Sequence, residues 1–390
     1  MSILQGFFVA YSWKNFLDCE AKGLKYRAPG RVNIIGEHTD YNDGFVLPTT
    51  SSACTNITAE RRNDRTVRLT SKNLDDERSF SLDDIAVSDS PIWADYARGV
   101  AVELEARGAT LRGANINVNG NIPIGGGLSS SASFEVGIAV ALLDIADATL
   151  SEKDIARICQ LAEIRFAGVN CGIMDQLAIA GCERGKAMLI DCRTLDTQHA
   201  DIPDNARLLV VDSGVRHLLP DSDYNERAEE CSKAVSILSR ENAGVKALRD
   251  VSIEMLDSSR QALGDVLFRR ARHIVSENTR VLNAFDALQR SDLATLGELI
   301  SDSHESLRDD FEISCDPVDR LVSIADACPG ALGSRQIGGG FGGCVLCLTT
   351  DEHLDAVRER VTVGYGQISG EEPWVHVVEP TDPAGPVTQE

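Results

Sequence analysis

Residues 125–146 read "GGGLSSSASFEVGIAVALLDIA", a glycine loop that runs directly into a long apolar helix. The amino end of a helix carries unpaired N–H groups and a partial positive charge, so it can bind an anion. Glycines let the backbone approach a phosphate closely, and serines can cap the helix or donate to phosphate oxygens. The stretch has neither the lysine of a Walker A loop nor the glycine spacing of a Rossmann fingerprint. It indicates a phosphate-binding loop, although a flexible turn with a serine cap would have the same composition.

The rest of the chain indicates two α+β domains. A chain of 390 residues exceeds one ordinary core, and the turn-rich "DIPDN" at 201–205 predicts a boundary between domains 1–200 and 201–390. Alternating or β-rich runs predict strands at 32–35, 53–62, 66–71, 78–82, 114–123, 185–194, 207–214 and 374–379. Helical spacing predicts helices after the glycine loop and at 92–108, 151–166, 222–240, 260–291, 294–308, 317–327 and 351–361.

Composition and charge exclude several classes of protein. Hydrophobic residues make up 43% of the chain and charged residues 25%, as in soluble globular proteins. No apolar run reaches the roughly 18 residues of a membrane span, and the amino end lacks the features of a signal peptide. A net charge of −22 argues against nucleic-acid binding, which needs a basic surface. We therefore expect neither a membrane nor a nucleic acid as a partner.

Cysteine usage predicts a reducing compartment. The eleven cysteines are an odd number without regular spacing, which is typical of reduced thiols in a cytoplasmic protein. The pair Cys344 and Cys347 has C-x-x-C spacing, but it lies in the apolar run "CVLCLTT". This run predicts a buried strand, because a redox or zinc site would need a turn there and, for zinc, further ligands.

A second stretch crowds polar groups beside an apolar strand. Residues 28–44 read "APGRVNIIGEHTDYNDG" and set Arg31 close to Glu37, His38 and Asp40. Such groups cost free energy when they are buried without partners. The stretch is either a polar surface turn or the wall of a binding site.

Two carboxylates and a second glycine cluster are further candidates. Glu163 and Asp175 lie among apolar residues, where a carboxylate needs a partner or a chemical role. An aspartate near an arginine could accept a proton from a sugar hydroxyl, although each acid could also be a structural hydrogen-bond acceptor. The cluster "GSRQIGGGFGGC" at 333–344 indicates a close backbone approach, either to another loop or to a phosphate tail.

Taken together, these stretches resemble the motifs of the galactokinases in the GHMP kinase superfamily. The similarity runs from about residue 20 to 348, with the motifs in the family order: "GRVNIIGEHTDYNDG", "PIGGGLSSSAS", "NCGIMDQ" and "GSRQIGGGFGGC". The resemblance implies a two-domain GHMP kinase fold, with an N-terminal domain like the second domain of ribosomal protein S5 and a ferredoxin-like C-terminal domain. It implies an active site between the two.

The resemblance also implies roles for individual residues. Asp175 matches the general base for the C1 hydroxyl of the sugar, and Arg31 matches the group that stabilises the transferring charge and keeps that aspartate ionised. The matching sugar-binding positions are Glu37, His38, Thr39, Asp40, Gly172 and Tyr224. The matching ATP-binding positions are Gly125, Gly126, Gly127, Leu128, Ser129, Ser130 and Ser131. Ser131 and Glu163 match the ligands of Mg²⁺.

The implied activity is the phosphorylation of α-D-galactose by ATP to galactose 1-phosphate, the first committed step of the Leloir pathway, in a cytoplasmic monomer. Two alternatives remain open at this point: a kinase for N-acetylgalactosamine, arabinose or a related sugar, and a non-catalytic galactose-sensing paralogue. The third motif departs from the family pattern, because Gln336 and Ile337 stand where Met-Thr or Leu-Thr is usual. The missing hydroxyl could alter a contact near the phosphates.

Overall fold

The computed structural model describes residues 23–86, 92–123, 126–169, 171–215 and 220–387. Its strands are β1 Leu24–Asn33, β2 Phe45–Val46, β3 Pro48–Arg61, β4 Thr66–Ser71, β5 Asp76–Ser81, β6 Ala114–Gly120, β7 Lys186–Asp191, β8 Thr197–Asp201, β9 Ala206–Asp212, β10 Ala331–Ile337, β11 Cys344–Thr350, β12 Val375–Val378 and β13 Gly385–Pro386. Its helices are α1 Trp93–Ala106, α2 Ser130–Ile145, α3 Glu152–Ala162, α4 Met174–Gly181, α5 Pro220–Glu241, α6 Ile253–Ser258, α7 Arg260–Gln289, α8 Leu293–Asp309, α9 Asp316–Asp326 and α10 Leu354–Ser369. A π-helical turn, Glu163–Ala167, directly follows α3.

The first glycine loop follows β6, a strand of a six-stranded sheet with the order β13-β1-β3-β6-β4-β5, and precedes α2. Helix α2 packs across β1 and β3, and Gly137 allows this close approach. A Cβ at Gly137 would lie 2.7 Å from Ile57 Cδ1 and 3.1 Å from Ala28 Cβ. Because Arg31 lies in β1 and Ser129 immediately precedes α2, this packing brings the glycine loop beside the arginine.

A four-stranded antiparallel sheet, β10-β11-β9-β12, lies between two layers of helices. Along β9, Leu208 and Val210 pack in one core with residues of α7 and α8, whereas Leu209 and Val211 pack in another with residues of α9 and α10. A strand that is buried on both faces has a continuous apolar sequence. The same alternation places Cys344 in the first core and Cys347 in the second, which confirms the buried strand predicted for this pair.

The predicted strands and helices are present, with shifted ends. Residues 32–35 are only partly a strand, because β1 ends at Asn33 and the backbone then turns. The predicted helix at 351–361 extends to Ser369. The pattern did not reveal the elements β2, β8, β10, β13, α4 and α6. The largest omission is β10, where the polar side chains of "GSRQI" are buried.

Strand β8 ends at Asp201, the first residue of the predicted boundary at 201–205, and the four-stranded sheet begins after that boundary with β9. The last strand, β13, returns to pair with β1. The division at residue 200 stays a prediction. Among the described residues, no helix combines the length and hydropathy that crossing a bilayer would require.

Candidate active site

An ion pair between two distant parts of the chain forms the centre of the candidate site. Nε of Arg31, in β1, donates to Oδ1 of Asp175, in the first turn of α4, at 2.7 Å. The arginine is buried, while 28% of the aspartate side chain stays exposed. Burial on its own lowers the pKa of Arg31, but the charges of Asp175 and Glu37 outweigh it and raise the pKa above its ordinary value. A permanent cation therefore faces an accessible carboxylate.

The first glycine loop holds both members of this pair. Gly127 O accepts from Arg31 Nη1 at 2.5 Å, and Leu128 O accepts from the backbone N–H of Arg31 at 3.1 Å. Ser129 occupies the N-cap position of α2 in the left-handed conformation, with φ 58° and ψ 59°. Its hydroxyl makes no capping bond and donates to Oδ2 of Asp175 instead. Each oxygen of Asp175 therefore has one fixed donor.

The two glycine clusters are in contact with each other. A Cβ at Gly338 would lie 3.2 Å from Gly127 Cα, and a Cβ at Gly127 would lie 3.3 Å from Ile337 O. Of the predicted ATP-binding residues, 126–131 form the loop and the start of α2. Gly125 lies outside the described residues. The close approach predicted for the second cluster is thus, at least in part, packing against the first.

Glu163, at the start of the π-helical turn, lies among other acids. Its Oε2 accepts from Gln176 Nε2 at 2.7 Å, and interaction with the Ser131 side chain lowers its pKa. Burial, and then the charge of Asp175, raise the pKa of Glu163 to about 7. The neighbouring Glu135 is fully buried, and burial raises its pKa well above the ordinary value. The structure therefore joins the two predicted magnesium ligands, Ser131 and Glu163, in a region with excess carboxylate.

Several of the predicted sugar-binding residues converge on a second wall of the site. The carboxylate of Asp40 lies so close to Gly172 that a Cβ there would overlap Asp40 Oδ2. Burial is the main cause that raises the pKa of Asp40 to about 7. The ring of His38 lies 5.2 Å from that of Tyr224, and its Nδ1 is 2.7 Å from Tyr41 Oη. Burial lowers the pKa of His38 to about 3, so its ring is neutral near pH 7.

Two other predicted sugar ligands are already engaged by protein groups. Oε1 of Glu37 accepts from Arg335 Nη2 at 2.9 Å and from Gly338 N at 3.0 Å, and its Oε2 accepts from Asn33 Nδ2 at 3.1 Å. The Thr39 hydroxyl lies within hydrogen-bond distance of two backbone carbonyls of its own loop. Glu37 is only 3% exposed and Thr39 is fully buried. Their direct contact with a sugar stays a prediction.

Sequence reasoning missed the buried polar residues that bond the backbone of residues 34–45. They are Arg335 in β10 and His273, Glu277 and Asn278 in α7. A signal for the α7 residues was present. They continue the spacing of the buried apolar face that includes Ile274 and Val281. A polar residue on a core-facing stripe indicates a specific partner.

Comparison with known families identifies three matching regions. The galactokinase galactose-binding signature matches residues 15–60. The N-terminal domain of GHMP kinases matches residues 95–182, and the C-terminal domain matches residues 284–365. A curated galactokinase from Chloroflexus aurantiacus is 45% identical over 344 residues, which cover 88% of each chain.

Solved structures give the same result for the fold. Lactococcus lactis galactokinase, solved in complex with galactose, superposes with a TM-score of 0.89 at 33% identity and covers 93% of this chain and 95% of its own. Mevalonate kinase from Methanococcus jannaschii superposes with a TM-score of 0.66 at 18% identity, over 93% of this chain and 100% of its own. The predicted GHMP kinase fold is confirmed.

Proposed function

This chain belongs to the galactokinase family of the GHMP kinases, and we propose that it phosphorylates galactose with ATP where Arg31, Ser129 and Asp175 meet. The observation that carries this assignment is the accessible carboxylate of Asp175, with one oxygen bonded to Arg31 and the other to Ser129. An ionised carboxylate has about four lone-pair positions, so two protein donors leave room for a substrate hydroxyl.

In the proposed reaction, Asp175 is the general base. It removes the proton of the galactose C1 hydroxyl as that oxygen attacks the γ-phosphorus of ATP, and the bond from that phosphorus to the ADP oxygen breaks. Arg31, fixed between Asp175 and Gly127, offers positive charge to the transferring group. The two loop contacts make this geometry available before the substrate binds, which is the condition for effective electrostatic stabilisation.

Galactose recognition is proposed for the second wall of the site, which consists of His38, Asp40, Gly172 and Tyr224. The carboxylate of Asp40 can accept from two sugar hydroxyls, and the neutral His38 can donate to or accept from another. Gly172 leaves the space that lets Asp40 approach the backbone, and Tyr224 packs against His38. An epimer would leave a buried acceptor unpaired, which is the physical basis for rejecting it.

The ATP-binding site is assigned to the first glycine loop, and Mg²⁺ is proposed to bind with the ATP. The residues fit this ion, because the Ser131 hydroxyl and the Glu163 carboxylate are hard oxygen donors whose side chains interact. Burial, and then the charge of Asp175, raise the pKa of Glu163, and a bound cation would favour its ionised form. When bound, magnesium would neutralise charge on the phosphate oxygens.

A coupled assay for ADP release tests the function. We expect turnover with galactose and MgATP, and much less with glucose, N-acetylgalactosamine or arabinose at equal concentration. Preference for one of the other sugars would replace the assigned substrate. Galactose binding without ADP release from any sugar would support the sensing alternative and overturn the kinase assignment.

We also propose a cytoplasmic location. The ten cysteines among the described residues are free thiols, and most are buried. Cytosolic proteins keep their thiols reduced. Thiol titration of protein purified without reductant would test this, with ten or more reactive groups expected after unfolding.

A further inference from the structure

The segment that is proposed to bind galactose is held by residues from the other half of the chain. We define the sugar segment as residues 33–45. Its backbone is bonded at five points by side chains of α7 and β10: Asn33 O and Ile34 O by Arg335, Gly36 N by Glu277, Glu37 O by His273, and Phe45 N by Asn278. A segment bonded in this way is restricted to one backbone path.

Arg335 makes the most extensive of these contacts. It is fully buried, and its Nε donates to Ile34 O at 2.7 Å while Nη2 donates to Asn33 O at 2.6 Å and to Glu37 Oε1 at 2.9 Å. One planar guanidinium thus fixes two carbonyls and a carboxylate of the sugar segment. A lysine cannot reproduce this set, because its ammonium is a single point on a flexible stem.

Glu277 fixes the turn of the segment. Its side chain is fully buried and accepts from Gly36 N at 3.0 Å, from Ser303 Oγ at 2.7 Å and from Arg280 Nε at 2.6 Å. Gly36 has a φ of 110°, a conformation that favours glycine, and a Cβ there would lie 2.9 Å from Phe45 O. The carboxylate of Glu277 therefore bonds the N–H of the glycine at one turn of the segment.

We propose that Arg335 and Glu277 are positioning residues for galactose, acting through the backbone of the sugar segment rather than by contact with the substrate. This inference rests on the proposed function, since it assumes that His38 and Asp40 of the segment read the sugar. Both residues bond the backbone of the segment that carries His38 and Asp40, whereas Arg31 and Asp175 are bonded to the first glycine loop. Their loss should therefore weaken galactose binding much more than ATP binding.

The chain offers a matched control for Glu277. Asp95 is another fully buried carboxylate that accepts from one backbone N–H, that of Ile92 at 2.6 Å, and from one arginine, Arg98, at 2.5 Å. It lies in α1, which packs against α2 and α3 rather than against the sugar segment. Asp95→Asn and Glu277→Gln therefore remove equivalent charges from equally buried places.

The experiment measures the KM values of both substrates and the Kd of galactose by calorimetry, together with the Tm of each variant. For Glu277→Gln we expect the KM and Kd of galactose to rise about tenfold or more, the typical effect of losing a charged hydrogen bond. The KM of ATP should stay within about twofold of the wild type, as should both KM values of Asp95→Asn at a similar loss of Tm. Equal changes in both substrates, or the same pattern in the control, would overturn the inference.

Two further variants extend the same test, and the Tm of each shows whether it is folded. Ser303→Ala removes one donor to Glu277 and should raise the KM of galactose alone, by a smaller factor. Arg335→Lys should raise it more than Ser303→Ala does. If the wild type failed to bind galactose, the proposed function would be refuted. If the wild type bound galactose and the folded variants had the same Kd for galactose, this inference alone would be refuted.

Discussion

Asp175 is held by Arg31 at one oxygen and by Ser129 at the other, and this arrangement determines what its substitution should do. Asp175→Asn keeps the size of the side chain but removes the base, so kcat should fall by about 10² to 10⁴-fold. Galactose binding should change much less, because Asp40 and His38 are untouched. Single-turnover assays and calorimetry measure the two effects separately.

The control for this variant is Asp144→Asn, which removes the same charge from an exposed position where the carboxylate accepts from Tyr26 Oη at 2.6 Å. It should leave kcat within about twofold of the wild type. A kcat for Asp175→Asn close to that of this control would remove Asp175 as the base.

The raised pKa of Asp40 predicts that the free energy of unfolding depends on pH. Its pKa is raised to about 7, mainly by burial, whereas an unfolded aspartate titrates near 4. Between these values the folded protein keeps a proton that the unfolded chain has lost. The stabilising contribution is therefore present below pH 4 and is lost as the pH rises through 7.

Urea unfolding of ligand-free protein at pH 5 and pH 8 measures this contribution. The free energy of unfolding of the wild type, relative to that of Asp40→Asn, should fall between pH 5 and pH 8. Identical pH slopes in the two proteins would contradict the raised pKa of Asp40.

The loop between the π-helical turn and α4 places Gly172 against Asp40. Because a methyl group at this glycine would overlap Asp40 Oδ2, Gly172→Ala should displace the carboxylate and raise the KM of galactose about tenfold or more. Gly244→Ala is the control, since a Cβ there has no neighbour within 4 Å. Equal galactose KM values for the two variants would show that this loop does not set the position of Asp40.

Local pattern predicted the elements with apolar periodicity and missed those whose partners are distant. β9 and β11 were visible because strands buried on both faces are continuously apolar. β10 was not, because its polar side chains are buried against carbonyls some 300 positions earlier in the chain, as with Arg335 and Ile34. The predicted helix at 151–166 also hid the π-helical turn, since 3.6-residue spacing carries no sign of a change in hydrogen bonding.

The sequence likewise predicted some contacts of the candidate site and not others. Motif resemblance pointed to Arg31 and Asp175 as a pair, and the structure places them in contact at 2.7 Å. Sequence could not show that Ser129 would donate to Asp175 rather than cap its helix, because that choice depends on the packing of α2 across β1. Nor could it show that Gln336, where the family usually has a different residue, is buried and donates to Gly342 O at 3.1 Å.

Contacts between the two halves of the chain make the whole molecule a candidate for a single cooperative transition. Thr50 Oγ1 donates to Thr381 O at 2.6 Å, β13 pairs with β1, and Arg335 is buried against the sugar segment. Melting either half would leave these buried polar groups without partners, which is costly. We therefore expect one calorimetric transition rather than two.

Galactose should raise the Tm of that single transition without splitting it into two. A ligand at 100 times its Kd stabilises the native state by about 2.7 kcal/mol, and the site contains residues of both halves. Scans with galactose should shift the whole peak upward, in the wild type and in Asp175→Asn alike, whereas glucose at the same concentration should shift it much less. Two peaks, of which only one responds to galactose, would mean that the contacts of Arg335 and β13 do not couple the halves, and that the sugar segment is stabilised by its own half alone.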